Sequence, residues 1–320
     1  MFAESFLALA SLLTVREARI PPAQPIIVQS LPVAHYVPGS QPPSKKDVNS
    51  FGVETTARAA VVLDVASGEV LYEKDAETAY PVASLTKLVT AMTFLDQKPN
   101  MEEVVTILPE DDPKEGRPVF LEGEQFTRRE LLRALLIGSV NISGNALART
   151  SGGHQAFVAA MNVKAQKLGM SQAHFSDPTG LNRQNQASAH DVALALRAAL
   201  SYPDIREITK TGQVTLVGRA TTKPYLIKST NLLLSSFLNQ DPYQIIAGKT
   251  GSLPEAGFCL AQATRDKAGH EVIVVVLGSE NHFVRFQDAK ALTYWTFQSF
   301  TWPPKGSSRA QAALVSRVRP

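Results

Sequence analysis

Cysteine is all but missing from this sequence: Cys259 stands alone among 320 residues, so no disulfide can form within the chain. Its neighbours, Gly257-Phe258-Cys259-Leu260-Ala261, predict a buried strand and an inert thiol. No apolar run reaches the roughly 18 residues that span a bilayer, which excludes a transmembrane helix as the organising feature. Charge of one sign is also scarce. The formal net charge is +3, with no dense basic block, and this argues against a nucleic-acid partner. The histidines His154, His174, His190, His270 and His282 lack metal-ligand spacing, so neither a metal nor an organic cofactor is expected. No internal repeat is present.

What remains is the composition of an ordinary globular enzyme, 44% hydrophobic and 19% charged. Phe6 to Val15 is apolar and has the length of a signal h-region, although Glu4 sits where a positive charge belongs and no small-x-small cleavage site follows. Residues 1–20 are therefore a candidate signal segment. Prolines at 21, 22, 25, 32, 38, 42 and 43 cannot sit in helix interiors or central strands, so residues 21–56 are expected to be a linker. The folded domain is expected over 57–301, and residues 302–320 form a short basic tail, expected to be loose.

Within the domain, Ala59–Asp64 and Glu69–Tyr72 predict two strands joined at Ser67-Gly68. Ser84 to Asp96 predicts a buried helix. Thr127 to Ile137 predicts another, opened by Thr127 and Glu130 in capping-box positions. Helices follow over His154–Leu168 and His190–Leu200, strands over Gly257–Thr264 and Glu271–Gly278, and a closing helix over Phe286–Phe300. Strands at both ends with helices between predict an α+β fold. One antiparallel sheet is built from both chain ends and flanked by helices, with a mainly helical lobe inserted.

Three short motifs carry the chemistry: Ser84-Leu85-Thr86-Lys87, Ser139-Val140-Asn141 and Lys249-Thr250-Gly251. Lys87 lies one helical turn from Ser84, on the same face. A serine hydroxyl needs an adjacent base to attack at neutral pH, and lysine serves only when neutral. Its pKa must then fall from about 10.4 by roughly three pH units, near 4 kcal/mol of environment. Burial and a second cation, Lys249, are the expected causes. Backbone N–H groups of Ser84 and Ser252 can face an oxyanion. Gly251 lets a substrate approach closely, and Lys249 and Thr250 can hold a carboxylate. Ser139 can pass a proton to a leaving amine, and the Asn141 amide can bind a substrate carbonyl. A competing triplet, Ser143-Gly144-Asn145, is set aside because Asn145 falls inside the next helix. Asp177-Pro178-Thr179-Gly180 is expected to be a structural turn.

In this combination the chain resembles the serine-type D-Ala-D-Ala carboxypeptidases and endopeptidases, the low-molecular-mass penicillin-binding proteins. The resemblance runs from about Ala57 to Phe300. It includes Pro81 to Leu88, Ala160 to Ala165 with Leu168-Gly169-Met170, Phe175 to Leu181, and Ala247 to Gly251. It implies the penicillin-binding and β-lactamase-like transpeptidase fold, with Ser84 acylated, Lys87 as base, and Ser139 and Asn141 as the second catalytic motif. Lys249, Thr250, Gly251 and Ser252 would bind substrate. Arg285, ten residues before Trp295, matches an arginine that some members keep near the substrate carboxylate. The partners implied are peptidoglycan stem peptides, with β-lactam antibiotics as inhibitors, in a periplasmic or otherwise extracytoplasmic setting. The chain leaves no room after Phe300 for the β-rich C-terminal domain of typical carboxypeptidases. Its layout resembles the single-domain endopeptidases, and endopeptidase is slightly favoured over carboxypeptidase. Val140 fills a position often polar or Gly in the family. The alternatives are a β-lactamase or a non-catalytic wall-binding protein. Against the first, no glutamate lies between Leu131 and Arg206 to speed deacylation. Against the second, no motif is broken.

Overall fold

The computed structural model describes residues 40–114 and 119–304. The candidate signal segment lies outside the described residues, as does the tail beyond residue 304.

A five-stranded antiparallel sheet is the frame. Its strands are β1 (Ala59–Asp64), β2 (Val70–Lys74), β3 (Tyr243–Leu253), β4 (Gly257–Asp266) and β5 (Glu271–Ser279), in spatial order β3-β4-β5-β1-β2. The early strand β1 pairs with the late strand β5, with Val62 opposite Val274. Both chain ends therefore meet in one sheet, as the sequence predicted.

Seven helices complete the described residues: α1 (Thr86–Asp96), α2 (Arg128–Ile137), α3 (Asn141–Arg149), α4 (His154–Lys167), α5 (Ala189–Ala199), α6 (Pro203–Thr209) and α7 (Val284–Ser299). All but α7 lie between β2 and β3 in the chain and make the inserted lobe.

The sheet's two faces explain its composition. Val61 and Leu63 of β1, with Ile273 and Val275 of β5, pack into the cluster that holds Leu88, Met92, Val192 and Leu196 of the lobe. The alternate residues Val62, Val272, Val274 and Val276 pack with Phe286, Ala289 and Leu292 of α7. A strand covered on both faces loses the polar half of its alternation, and all six residues of β1 are buried. Helix α1 is buried nearly all round, which suits its continuous apolar and threonine-rich sequence. The predicted capping box on α2 is present. Glu130 N–H donates to Thr127 Oγ1 at 3.2 Å, and Thr127 N–H donates to Glu130 Oε2 at 2.7 Å.

The expected linker differs from the structure over its described part. Ser44 and Lys45 pair antiparallel with Thr301 and Phe300. Tyr72 donates its hydroxyl to Val53 O at 3.0 Å, and Thr56 donates to Asp288 Oδ2 at 2.8 Å. Proline density rules out a helix or central strand, but an extended segment laid along a domain needs only a few hydrogen bonds and keeps its prolines. Helix α6 and the hairpin of Gln213–Val217 with Pro224–Lys228 were not expected from the sequence.

Candidate active site

Ser84 lies in a 3-10 turn, Ala83–Leu85, that runs directly into α1. Such a tightened first turn is common where a helix begins. Ala83 has φ 47°, a left-handed value that a non-glycine residue adopts only when its surroundings impose it. Gly180 shows what imposes it: a Cβ there would stand 1.9 Å from Ala83 O, so the turn at Asp177–Gly180 is pressed against the Ser84 segment.

Lys87 is wholly buried on α1. Its Nζ lies 2.7 Å from Ser84 Oγ and donates to Asn141 Oδ1 at 2.7 Å and to Thr179 O at 2.6 Å. Burial lowers its pKa to about 7, while the charge of Asp177 pulls the other way. The sequence had assigned part of that lowering to Lys249, whereas burial is its cause here. It is Lys249 that is held well below the usual lysine range, first by burial, then by the charges of Lys87 and Arg285.

Ser139 sits between α2 and α3 at φ 58°, again left-handed. Gly138 N–H and Val140 N–H both donate to Ala134 O, which folds the chain back on the end of α2. Asn141 then opens α3 and turns its amide oxygen to Lys87. The competing triplet is elsewhere: Asn145 donates to Asp111 O at 3.0 Å, and the buried Ser143 Oγ has no hydrogen-bond partner.

The third motif lies on β3, the outer strand of the sheet. Lys249 is buried, and its Nζ donates to Ser139 Oγ and to Thr250 O, each at 2.8 Å. Thr250 donates its hydroxyl to Thr230 Oγ1 at 2.6 Å. A Cβ on Gly251 would stand 2.9 Å from Val82 O and 3.1 Å from Ser84 N, so only glycine lets the strand lie this close to the Ser84 backbone. Ser252 follows and is exposed. Arg285, read from the sequence as a substrate contact, is buried on α7 and donates to Gly251 O at 3.0 Å, with its guanidinium 4.7 Å from the Phe286 ring centroid. It braces the strand from within the protein.

Residues 44–281 match the family model described as D-alanyl-D-alanine carboxypeptidase. The chain belongs to that family. It is 36% identical over 270 residues to the D-alanyl-D-alanine endopeptidase of Pseudomonas aeruginosa, covering 83% of this chain and 84% of the relative. It is 31% identical to the D-alanyl-D-alanine endopeptidase of Escherichia coli, covering 76% and 77%. Among solved structures, the Streptomyces K15 DD-transpeptidase superimposes with TM-score 0.72 at 28% identity, covering 78% of this chain and all of that one. The fold is accordingly that of the penicillin-binding enzymes.

In this D-alanyl-D-alanine carboxypeptidase family member, two hydrogen-bonded groups, Ser84–Lys87–Asn141 and Ser139–Lys249, are joined through the loop that carries both Ser139 and Asn141. A buried amine with a pKa near 7 beside a hydroxyl can take that hydroxyl's proton. Three contributors escaped the sequence reading: the Thr179 carbonyl, the Asp177 carboxylate and Thr230. Asp177 Oδ1 accepts from Thr179 N, Thr179 Oγ1 and Gly180 N at 2.6–2.8 Å, which fixes the carbonyl that holds Lys87. The Asp-Pro-Thr-Gly run was visible in the sequence as a turn, but a turn signal does not say what the turn touches.

Proposed function

We propose that this protein is a peptidoglycan D,D-peptidase that works through a Ser84 acyl-enzyme outside the cytoplasm, and that β-lactams acylate the same serine. One observation carries the reading: a buried amine whose pKa is about 7 lies 2.7 Å from Ser84 Oγ. Neutral Lys87 takes the Ser84 proton as Oγ bonds to the D-Ala carbonyl carbon. The oxyanion is held by the backbone N–H groups of Ser84 and Ser252. The C–N bond then breaks, and a proton reaches the leaving amine by way of Ser139. Water completes the cycle by cleaving the ester and restoring the hydroxyl. The carboxylate beside the leaving amine lies against Lys249 and Thr250. Its charge restores the proton that burial disfavours on Lys249.

Endopeptidase action is favoured over carboxypeptidase action, since relatives named endopeptidase match at 36% and 31% identity over most of their length. Slow deacylation of penicillin is expected rather than β-lactamase turnover. The carboxylate that acts on Lys87, Asp177, is already engaged by three donors on one oxygen and by Asn182 N on the other, so it is a turn anchor and not a free base. Mass analysis of products from cross-linked and uncross-linked muropeptides tests the reading. Cleavage of the cross-link by wild type and none by Ser84→Ala is expected. Cleavage that survives in Ser84→Ala would remove the serine from the mechanism.

A further inference from the structure

Arg285 is a buried cation held without a counter-charge. Among the described residues no carboxylate stands within ion-pair distance of it. Its Nη1 donates to Gly251 O at 3.0 Å and reaches Cys259 O at 3.5 Å, its Nη2 meets His282 Nδ1 at 3.1 Å, and its Nε has no hydrogen-bond partner. Phe258 and Phe286 flank the guanidinium, with ring centroids 5.7 and 4.7 Å away, and the His282 ring stands edge-on to the same two rings.

A guanidinium only donates, so the Nδ1 that meets it carries the lone pair and the ring's proton sits on Nε2. Burial, and then the Arg285 charge, hold the ring below the usual histidine range, which keeps it neutral at neutral pH. The start of α7 fixes its place. Asn281 Oδ1 accepts from Phe283 N–H and from Val284 N–H, each at 3.0 Å, and from that turn His282 meets Arg285 three residues on.

The Gly251 carbonyl is one half of the peptide unit whose other half is the Ser252 N–H. Successive carbonyls of an extended strand point to opposite edges. On β3 the Thr250 carbonyl accepts from Lys249 Nζ on the active-site side, and the Gly251 carbonyl faces Arg285 and Cys259 of β4 on the other. In a planar trans peptide the N–H is antiparallel to the C=O, so fixing the Gly251 oxygen turns the Ser252 N–H to the side of Ser84. A Cβ on Gly251 would stand 3.1 Å from Ser84 N, so the strand lies beside the other proposed oxyanion donor.

We infer that His282 is a positioning residue for the oxyanion site: by accepting from Arg285 it holds the guanidinium on the Gly251 carbonyl, and the rigid Gly251–Ser252 peptide carries that hold to the Ser252 N–H. The positive charge against the carbonyl also polarises the peptide and strengthens its N–H as a donor. The inference rests on the proposed D,D-peptidase reading, which makes that N–H an oxyanion donor.

The test follows acylation by penicillin in wild type, His282→Leu and His282→Asn, resolved into the dissociation constant of the first complex and the rate of acylation within it. Asparagine places Oδ1 where histidine has Nδ1 and keeps the acceptor; leucine keeps the bulk and removes it. Loss of a whole oxyanion donor costs roughly 100- to 1,000-fold, and a donor present but no longer aimed costs part of that. His282→Leu is therefore expected to acylate about tenfold more slowly with an unchanged dissociation constant, and His282→Asn to acylate like wild type. Affinity for a boronic acid, whose tetrahedral adduct on Ser84 places an oxygen at the oxyanion site, should fall by the same factor in His282→Leu alone. His282 is exposed, so the three proteins should melt together. A wild-type rate in His282→Leu, an equal loss in both variants, a loss confined to the first complex, or a loss that tracks the melting temperature would each overturn the inference. A wild type that forms no penicillin adduct on Ser84 would instead bring down the D,D-peptidase reading, and the role of His282 with it.

Discussion

Lys87 is the residue on which the proposed chemistry turns, and of the two causes the sequence suggested for its lowered pKa, burial is the one the structure supplies. A lysine three residues after a serine at a helix start was legible as a candidate base. Burial was expected to lower its pKa and does so, whereas the expected share from Lys249 is absent, because which charges face a buried amine is a property of the assembled lobe and not of local spacing. Lys249 was equally legible, and the structure adds that its Nζ already contacts Ser139. On the proposed mechanism, replacing Lys249 with Ala removes a charge-assisted contact to the substrate carboxylate, worth about 1.5–3 kcal/mol. kcat/KM for peptides with a free terminal carboxylate should therefore fall roughly 10- to 150-fold more than for their amides. An equal fall for both would show that Lys249 does not hold the carboxylate. Arg285 was carried across by position alone, as a residue near the substrate carboxylate. The residue type was visible; its guanidinium lies against the Gly251 carbonyl, His282 Nδ1 and an aromatic face, and its buried Nε has no hydrogen-bond partner.

Elements were more legible than the contacts between them. The capping box at Thr127 and Glu130, the apolar strands and α1 all follow from period and propensity. The hairpin at 213–228 carried alternation too weak to separate it from loop, since β-propensity depends on what the strand packs against. The turn at Asp177–Gly180 was legible as a turn only. Its pressure on Ala83 and its carbonyl to Lys87 arise from packing across 92 residues of sequence. Gly180 has φ 84°, and an added Cβ would stand 1.9 Å from backbone. Gly180→Ala is therefore expected to lower stability by about 2 kcal/mol or more in urea unfolding and to slow acylation of Ser84. An unchanged midpoint together with an unchanged acylation rate would mean that the turn does not set the Ser84 conformation.

At the scale of the whole molecule, the site exists because distant parts of the chain converge: α1 follows the first two strands, the Ser139 loop belongs to the lobe, and β3 arrives near residue 250. The α+β order of elements made this convergence readable. The role of residues 40–56 was not readable, because proline-rich composition describes what a segment cannot form and not where it lies. Its strand pairing and the bonds at Val53 and Thr56 each contribute about 1 kcal/mol. A chain beginning at residue 57 should melt several degrees below one beginning at residue 40; equal melting temperatures would return the segment to linker status. The most direct test of the central claim follows acylation of the intact protein by penicillin across pH, with the adduct mapped by peptide mass spectrometry. A Lys87 pKa lowered to about 7 means the amine is neutral above that pH and protonated below it. The account predicts an adduct on Ser84 whose rate of formation rises through pH 5 to 7 by about tenfold per unit and then levels. An adduct on another residue, or a rate that is flat across that range, would contradict it.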